Sequence, residues 1–239
     1  MTQSSDLQGL KRFYKEVAIA PQTGGFSIQL DGRGVRTPAK APLILPTAPL
    51  ADMVACEWRA QGEVVRLASM PATRLAFTAV DRLGPVRGEV AAEVARTAGA
   101  DLLCYFAQAP QSLVERQVLL WEPLLDWANA ELDLSFARGA GVRHQPQPAA
   151  TLARVEALAA ALDDHALAGL ALAASLFSSA ILALALQRGR LEGLAAFDLS
   201  RLDEAFQEEQ WGVDAEAAVR TGAMRDEAAM LDRWFRALS

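Results

Sequence analysis

The sequence predicts an α+β protein. A small β-rich amino-terminal domain, residues 1–62, ends in a helix, and a larger all-helical domain, residues 63–239, is built around one central buried helix. Three observations predict it. Phe26, Ile28 and Leu30 alternate with Ser27 and Gln29, the period of a half-buried strand. Beyond Pro85 apolar residues recur at helical spacing almost to the carboxyl end. From Leu167 to Leu186 the run LAGLALAASLFSSAILALAL carries no charge, the mark of a helix without a solvent face.

The first strand is expected over Phe13–Ile19 and the second over Phe26–Leu30, with Asp31 and Gly32 as a hairpin turn before Val35. Pro38 and Pro42 break the second arm, and Leu43–Leu45 resumes it. Thr47 is placed to cap a helix running to about Gln61, with the stripe Leu50, Met53, Val54 and Trp58 and a stop at Gly62. That stripe makes Trp58 a core residue. Ser69 and Pro71 mark another helix start, and Leu102–Phe106 is a short apolar run after Gly99.

Leu113–Leu132 holds one helical phase across Pro123, which implies a kink or a fresh helix with Pro123 in its first turn. A Gly- and Pro-rich loop, expected to be mobile, covers Asp133–Pro148 before a helix over Ala149–Leu162. The uncharged run follows. It has the length of a bilayer span, but its Ala and Ser content and the lack of aromatic belts favour a core helix over a membrane-embedded one. Gly189 ends it; the next helix reaches Trp211 and a last one follows Asp214.

Composition removes several function classes. A net charge of −6 and a pI near 5.1 argue against nucleic-acid binding, which needs clustered cations. Cys56 and Cys104 form no CxxC and read as small buried hydrophobes of a reduced, intracellular protein. His144 and His165 have no ligand spacing, so no metal site is expected; His165, beside Asp163 and Asp164, reads as a solvated helix start. No phosphate loop, GxGxxG or GxSxG occurs, so no cofactor and no catalytic residue is assigned. The amino terminus MTQSSDLQGLKR resembles neither a secretory signal nor a transit peptide.

What remains is SRLDEAFQEEQWG, Ser200 to Gly212. On a helix Leu199, Leu202 and Phe206 share one face, while Glu204, Gln207, Glu208 and Trp211 lie nearly opposite. Carboxylates, an amide and an indole suit recognition of another molecule. Trp211 can alternatively close the helix over a neighbouring loop, with Gly212 as its C′ residue. The adjacent pairs Glu208/Glu209 and Asp163/Asp164 point apart and read as solvated surface. Arg33, Arg36 and Lys40, with Lys11, Arg12 and Lys15, make a modest basic patch that also reads as edge protection.

RFY at Arg12–Tyr14, GGF at Gly24–Phe26, LDGRGVRTP, the pair Glu57–Trp58, LLCY at Leu102–Tyr105, LVERQ at Leu113–Gln117, WEPLLDWA at Trp121–Ala128 and SRLDEAFQEEQWG occur in this order. In this series the chain resembles the assembly chaperones specific for the α subunit of the F₁ sector of ATP synthase, found in mitochondria and α-proteobacteria. The resemblance implies a small β-rich part joined to a helical part and a non-enzymatic role. Such a protein binds the unassembled α subunit and shields its aggregation-prone interface until the β subunit replaces it. It implies a monomer in the bacterial cytoplasm, or in the mitochondrial matrix for eukaryotic relatives, without stable membrane insertion. Glu204, Gln207 and Trp211 match the family's acid, amide and indole pattern; Glu208 adjoins them, Ala205 replaces a further carboxylate of some relatives, and Arg33 and Arg36 offer a second contact. The competing reading is a small-molecule enzyme using the carboxylates of the 200–212 helix, which requires a deep pocket with convergent polar groups.

Overall fold

Two tight hairpins build the sheet. Val17–Gln22 (β1) pairs antiparallel with Gly25–Leu30 (β2), setting Val17 opposite Leu30 and Ile19 opposite Ile28. Asp31 and Gly32, at φ of 48° and 77°, then turn the chain into Arg33–Gly34 (β3), supplying the two left-handed positions a two-residue hairpin needs. Ile44–Leu45 (β4) also pairs with β2, Leu45 opposite Phe26. Gly25 permits this approach, because a Cβ there would lie 2.1 Å from the Leu45 carbonyl oxygen. The computed structural model describes residues 9, 11–141, 143–212 and 215–239.

The first strand starts later than the alternation predicts, and Phe13 lies ahead of it, 63% exposed. Its flanking residues are drawn to carbonyls elsewhere. Tyr14 donates its hydroxyl to Trp58 O at 2.7 Å, and Arg12 donates to Tyr14 O at 3.1 Å and Gln61 O at 2.5 Å while stacking over the Tyr14 ring.

Ala48–Arg59 (α1) is capped as predicted, Thr47 Oγ1 accepting from Leu50 N at 3.2 Å. The same hydroxyl donates to the Ala237 carbonyl. Leu50, Ala51, Val54, Ala55 and Trp58 are buried; this leaves Cys56 on the outer side of the helix, exposed rather than buried as expected, whereas Cys104 is buried. Pro71–Thr78 (α2) starts with its proline in the first turn. Glu57 caps it across space, its carboxylate accepting from Ala72 N, Thr73 N and Thr73 Oγ1 at 2.7–2.8 Å. Burial nevertheless pushes the Glu57 pKa up. A π-helical turn, Ala79–Leu83, leads into Gly84–Ala98 (α3).

The chain divides into two compact units, one of residues 1–87, 164–168 and 233–239, the other of 88–163 and 169–232. The first therefore extends past 62, where composition changes: Ala72, Leu75 and Ala76 are buried and Glu57 ties α2 to α1. His165 belongs to this unit. It lies in the first turn of α6, as expected, but its ring lies 6.3 Å from that of Trp234, whose indole N–H donates to the His165 carbonyl at 3.0 Å, so it packs rather than being solvated.

In the second unit a 3₁₀ turn, Leu102–Cys104, precedes Tyr105–Phe106 (β5) and Gln111–Leu132 (α4). Helix α4 is continuous through Pro123, with no fresh start there. The proline is exposed, so its missing N–H falls where water can satisfy the carbonyl left behind. Gly139–Ala140 (β6) pairs parallel with β5, which gives the loop expected to be mobile a strand of its own. Gln147 bonds both the N–H and the carbonyl of Ala137, at 2.8 and 2.9 Å, and Arg138 pairs with Glu122 and Asp126 of α4.

Ala149–Ala160 (α5) leads to Asp164–Phe177 (α6) and Ala180–Gln187 (α7). The uncharged run is thus two helices, divided where Ser178 takes φ of 50° and Ser179 caps α7 through Leu182 N at 3.0 Å. Every residue from Ala180 to Leu186 is buried, making α7 the central helix. Asp101, fully buried, accepts from Ser179 Oγ at 2.7 Å, Ile181 N at 3.0 Å and Leu103 N at 3.1 Å. Burial outweighs these donors and pushes its pKa up to about 6. Gly193–Ser200 (α8), Leu202–Trp211 (α9) and Ala215–Leu238 (α10) complete the fold. Among the described residues no helix is long and apolar enough to cross a membrane.

Two stability measurements test these contacts. The raised Asp101 pKa means that its contribution is fully present below the unfolded value of about 3.9 and is lost as pH rises through about 6, a change of about 3 kcal/mol. Asp101→Asn should lack that slope, so the wild-type minus variant difference in urea unfolding energy should fall by about 2 kcal/mol between pH 4, where the unfolded carboxyl is already about half ionised, and pH 7. Gly193→Ala should lower the thermal midpoint, costing about 1–3 kcal/mol, because its Cβ would sit 2.2 Å from the Ala228 carbonyl oxygen of α10.

Candidate functional site

Helix α4 carries an amide at a phase where its neighbours are apolar. Gln117 is fully buried between the turns of Leu113 and Trp121. Its Oε1 accepts from Ala107 N at 2.7 Å, and its Nε2 donates to Asp203 Oδ1 at 2.6 Å. A buried amide left unpaired costs about 1–3 kcal/mol per lost partner, so the first turn of α9 is held against α4. Burial, with the neighbouring Glu204 charge adding to it, raises the Asp203 pKa against the pull of the Gln117 donor.

Three more contacts complete the joint. Trp121 donates its indole N–H to Leu199 O at 3.1 Å. Arg116 holds Glu209 with two bonds of 2.8 and 3.0 Å, and its guanidinium lies 5.2 Å from the Phe206 ring centre. Glu209 is therefore an ion-paired residue, not free surface as the sequence suggests, and Arg116 holds its pKa below the usual range.

With Leu202, Phe206 and Glu209 committed to packing, the helical repeat turns another stripe outward. Arg201 runs along it, reaching Glu204 at 3.3 Å and Glu208 at 3.6 Å. Trp211, one turn beyond Glu208, is 81% exposed, so it does not close over a loop. Gly212, at φ of 84°, ends the helix and donates to Glu208 O at 2.9 Å.

Of the predicted contact residues, Glu204, Glu208 and Trp211 share this stripe with Arg201, and Gln207 is exposed at its edge. Arg33 and Arg36 belong to the first unit; both are exposed, and Arg36 donates to Lys40 O at 2.8 Å. Arg12, counted with them in the basic patch, is committed to backbone carbonyls. Sequence reasoning missed Gln117, Asp203, Arg116 and Arg201. One signal was available: a glutamine in the phase of Leu113, Trp121 and Leu124 is a buried polar group in need of a partner.

The four carboxylates of α9 are divided among three partners: Gln117 for Asp203, Arg201 for both Glu204 and Glu208, and Arg116 for Glu209. A cavity of about 130 Å³ in this unit is lined instead by Leu125, Asn129, Ser135, Phe136 and Arg138.

Residues 11–129 match the family model described as ATP12 chaperone protein. The crystal structure of Atp12 from Paracoccus denitrificans superposes with a TM-score of 0.90 at 39% identity, covering 96% of this chain and 98% of that one. That of Atu1473 from Agrobacterium tumefaciens gives a TM-score of 0.89 at 42% identity over 96% of this chain and 86% of that one. The mitochondrial protein atp12 of Schizosaccharomyces pombe is 28% identical over 214 residues, 84% of this chain and 74% of that protein.

The joint between α4 and α9 predicts an asymmetry between its partners. Gln117→Leu strands both Ala107 N–H and Asp203 and should cost about 2–4 kcal/mol in urea unfolding. Asp203→Asn keeps an acceptor for the Gln117 amide and should cost less than about 1 kcal/mol.

Proposed function

The chain belongs to the ATP12 chaperone family, and from that membership we propose that it binds the unassembled α subunit of F₁ ATP synthase and shields its apolar interface until the β subunit takes its place. Specificity for the α subunit is supported by the ordered sequence words from RFY to SRLDEAFQEEQWG. Binding lowers the free concentration of an aggregation-prone state by mass action, without nucleotide hydrolysis. The site is the outward stripe of α9, with Glu204, Glu208 and Trp211 as contacts, Gln207 at its edge and Arg33 and Arg36 as a second contact on the other unit. The compartment is the bacterial cytoplasm, in keeping with the Paracoccus and Agrobacterium relatives.

One observation carries this reading: Trp211, the largest side chain of the helix, is 81% exposed beside two carboxylates. An indole in that position gains most by being covered. A non-enzymatic role is favoured because each α9 carboxylate is engaged by a cation or an amide, Glu204 and Glu208 sharing Arg201 on an outward face, whereas a general acid and base must flank one bond in a pocket.

Trp58, Trp121, Trp127 and Trp234 are each at most 7% exposed, so acrylamide quenching of tryptophan emission reports chiefly on Trp211. Adding purified α subunit should reduce that quenching, and Glu204→Lys should weaken binding about tenfold with an unchanged circular dichroism melt. Quenching that stays the same in the presence of bound α subunit removes Trp211 from the contact. Absence of any binding, with α-subunit solubility unaltered, overturns the role.

A further inference from the structure

We propose that Val118, Leu119 and Leu120, on the outer side of α4, form the apolar centre of the client-docking surface and receive an apolar client segment flanked by Lys or Arg. This rests on the chaperone reading above. The three consecutive residues are 39, 72 and 40% exposed on a helix whose stripe of Leu113, Trp121, Leu124 and Leu125 is buried. A contiguous exposed apolar run marks an interaction site more often than bare surface does.

The surroundings define the occupant. Arg116 is three and four residues before Leu119 and Leu120, hence one turn away on the same side, and it is bound to Glu209 of α9. The apolar run therefore continues from the α4–α9 joint, and the cation beside it is already neutralised. Glu115, exposed, accepts from the neutral amide of Gln111 at 3.1 Å and has no cation among its described bonds. Pro123 has no N–H to give the Leu119 carbonyl, so the run also contains a backbone acceptor without its helical donor. An apolar centre bordered by a carboxylate and a carbonyl complements apolar side chains next to cationic donors. A second copy, with its own net charge of −6, is the poorer match.

The test titrates isolated F₁ α subunit into the full chain by calorimetry, comparing wild type, the double variant Leu119→Ser/Leu120→Ser, Glu115→Lys and Glu204→Lys. The double variant should lose about tenfold or more in affinity with an unchanged melting curve. Glu115→Lys should also bind more weakly and show less dependence on salt. Unchanged affinity in the double variant, with Glu204→Lys still weakened, overturns this proposal and leaves the α9 reading standing. No binding by wild type overturns both. Two results assign the surface elsewhere and also overturn it: a wild-type dimer in sedimentation that the double variant abolishes, or flotation with phosphatidylcholine vesicles that the double variant abolishes. Should the double variant melt early, Leu119→Gln alone is read by the same criteria.

Discussion

A single buried amide sets the geometry of the second unit. Gln117 must find partners inside the core, and it finds them in the backbone ahead of α4 and in a carboxylate at the start of α9. Once Asp203 and Leu202 are fixed inward, the 100° step between residues leaves no freedom for the rest of α9. Phe206 and Glu209 come round to α4, where Arg116 holds them, while Glu204, Glu208 and Trp211 come round to solvent. The display of the candidate site is the other side of a packing solution.

The first unit follows a similar economy with different chemistry. Here the sequence words interlock: Tyr14 and Arg12 of RFY bond the carbonyls of Trp58 and Gln61, and Glu57 of the EW pair caps α2. GGF allows β4 to lie against β2 because Gly25 has no side chain. Each of these three words is half of a contact whose other half lies between 15 and 49 residues away.

Local rules made much of this legible. The Asp31–Gly32 turn, the Thr47 cap, the Pro71 helix start and the buried Trp58 all follow from a few neighbouring residues. The features that were not legible depend on tertiary partners or on which face meets solvent. Pro123 does not break α4, since it faces water. Tyr14 leaves the strand pattern because the distant Trp58 carbonyl claims its hydroxyl. At the candidate site, periodicity separated the two faces of α9, but the roles of Asp203 and Glu209 depend on side chains of α4 lying 86 and 93 residues earlier. Cys56 was misplaced through a residue-type preference, although the stripe of α1 already turned it outward.

The break at Ser178 and Ser179 has a consequence for the reach of the apolar run. As a linear sequence the run from Leu167 to Leu186 offers a membrane-insertion apparatus about twenty uncharged residues, enough to span a bilayer core of about 30 Å. Folded, it is divided between α6 and α7, helices of fourteen and eight residues, the first beginning before it and the second ending after it, about 21 and 12 Å long. Between them lies a polar junction whose Asp101 partner comes from far upstream. In the core that junction is satisfied, Ser178 O accepting from Leu102 N at 3.1 Å and Asp101 accepting from Ser179 Oγ and Ile181 N. The serine pair thus divides the same apolar residues between two core helices, neither of them long enough to cross a bilayer.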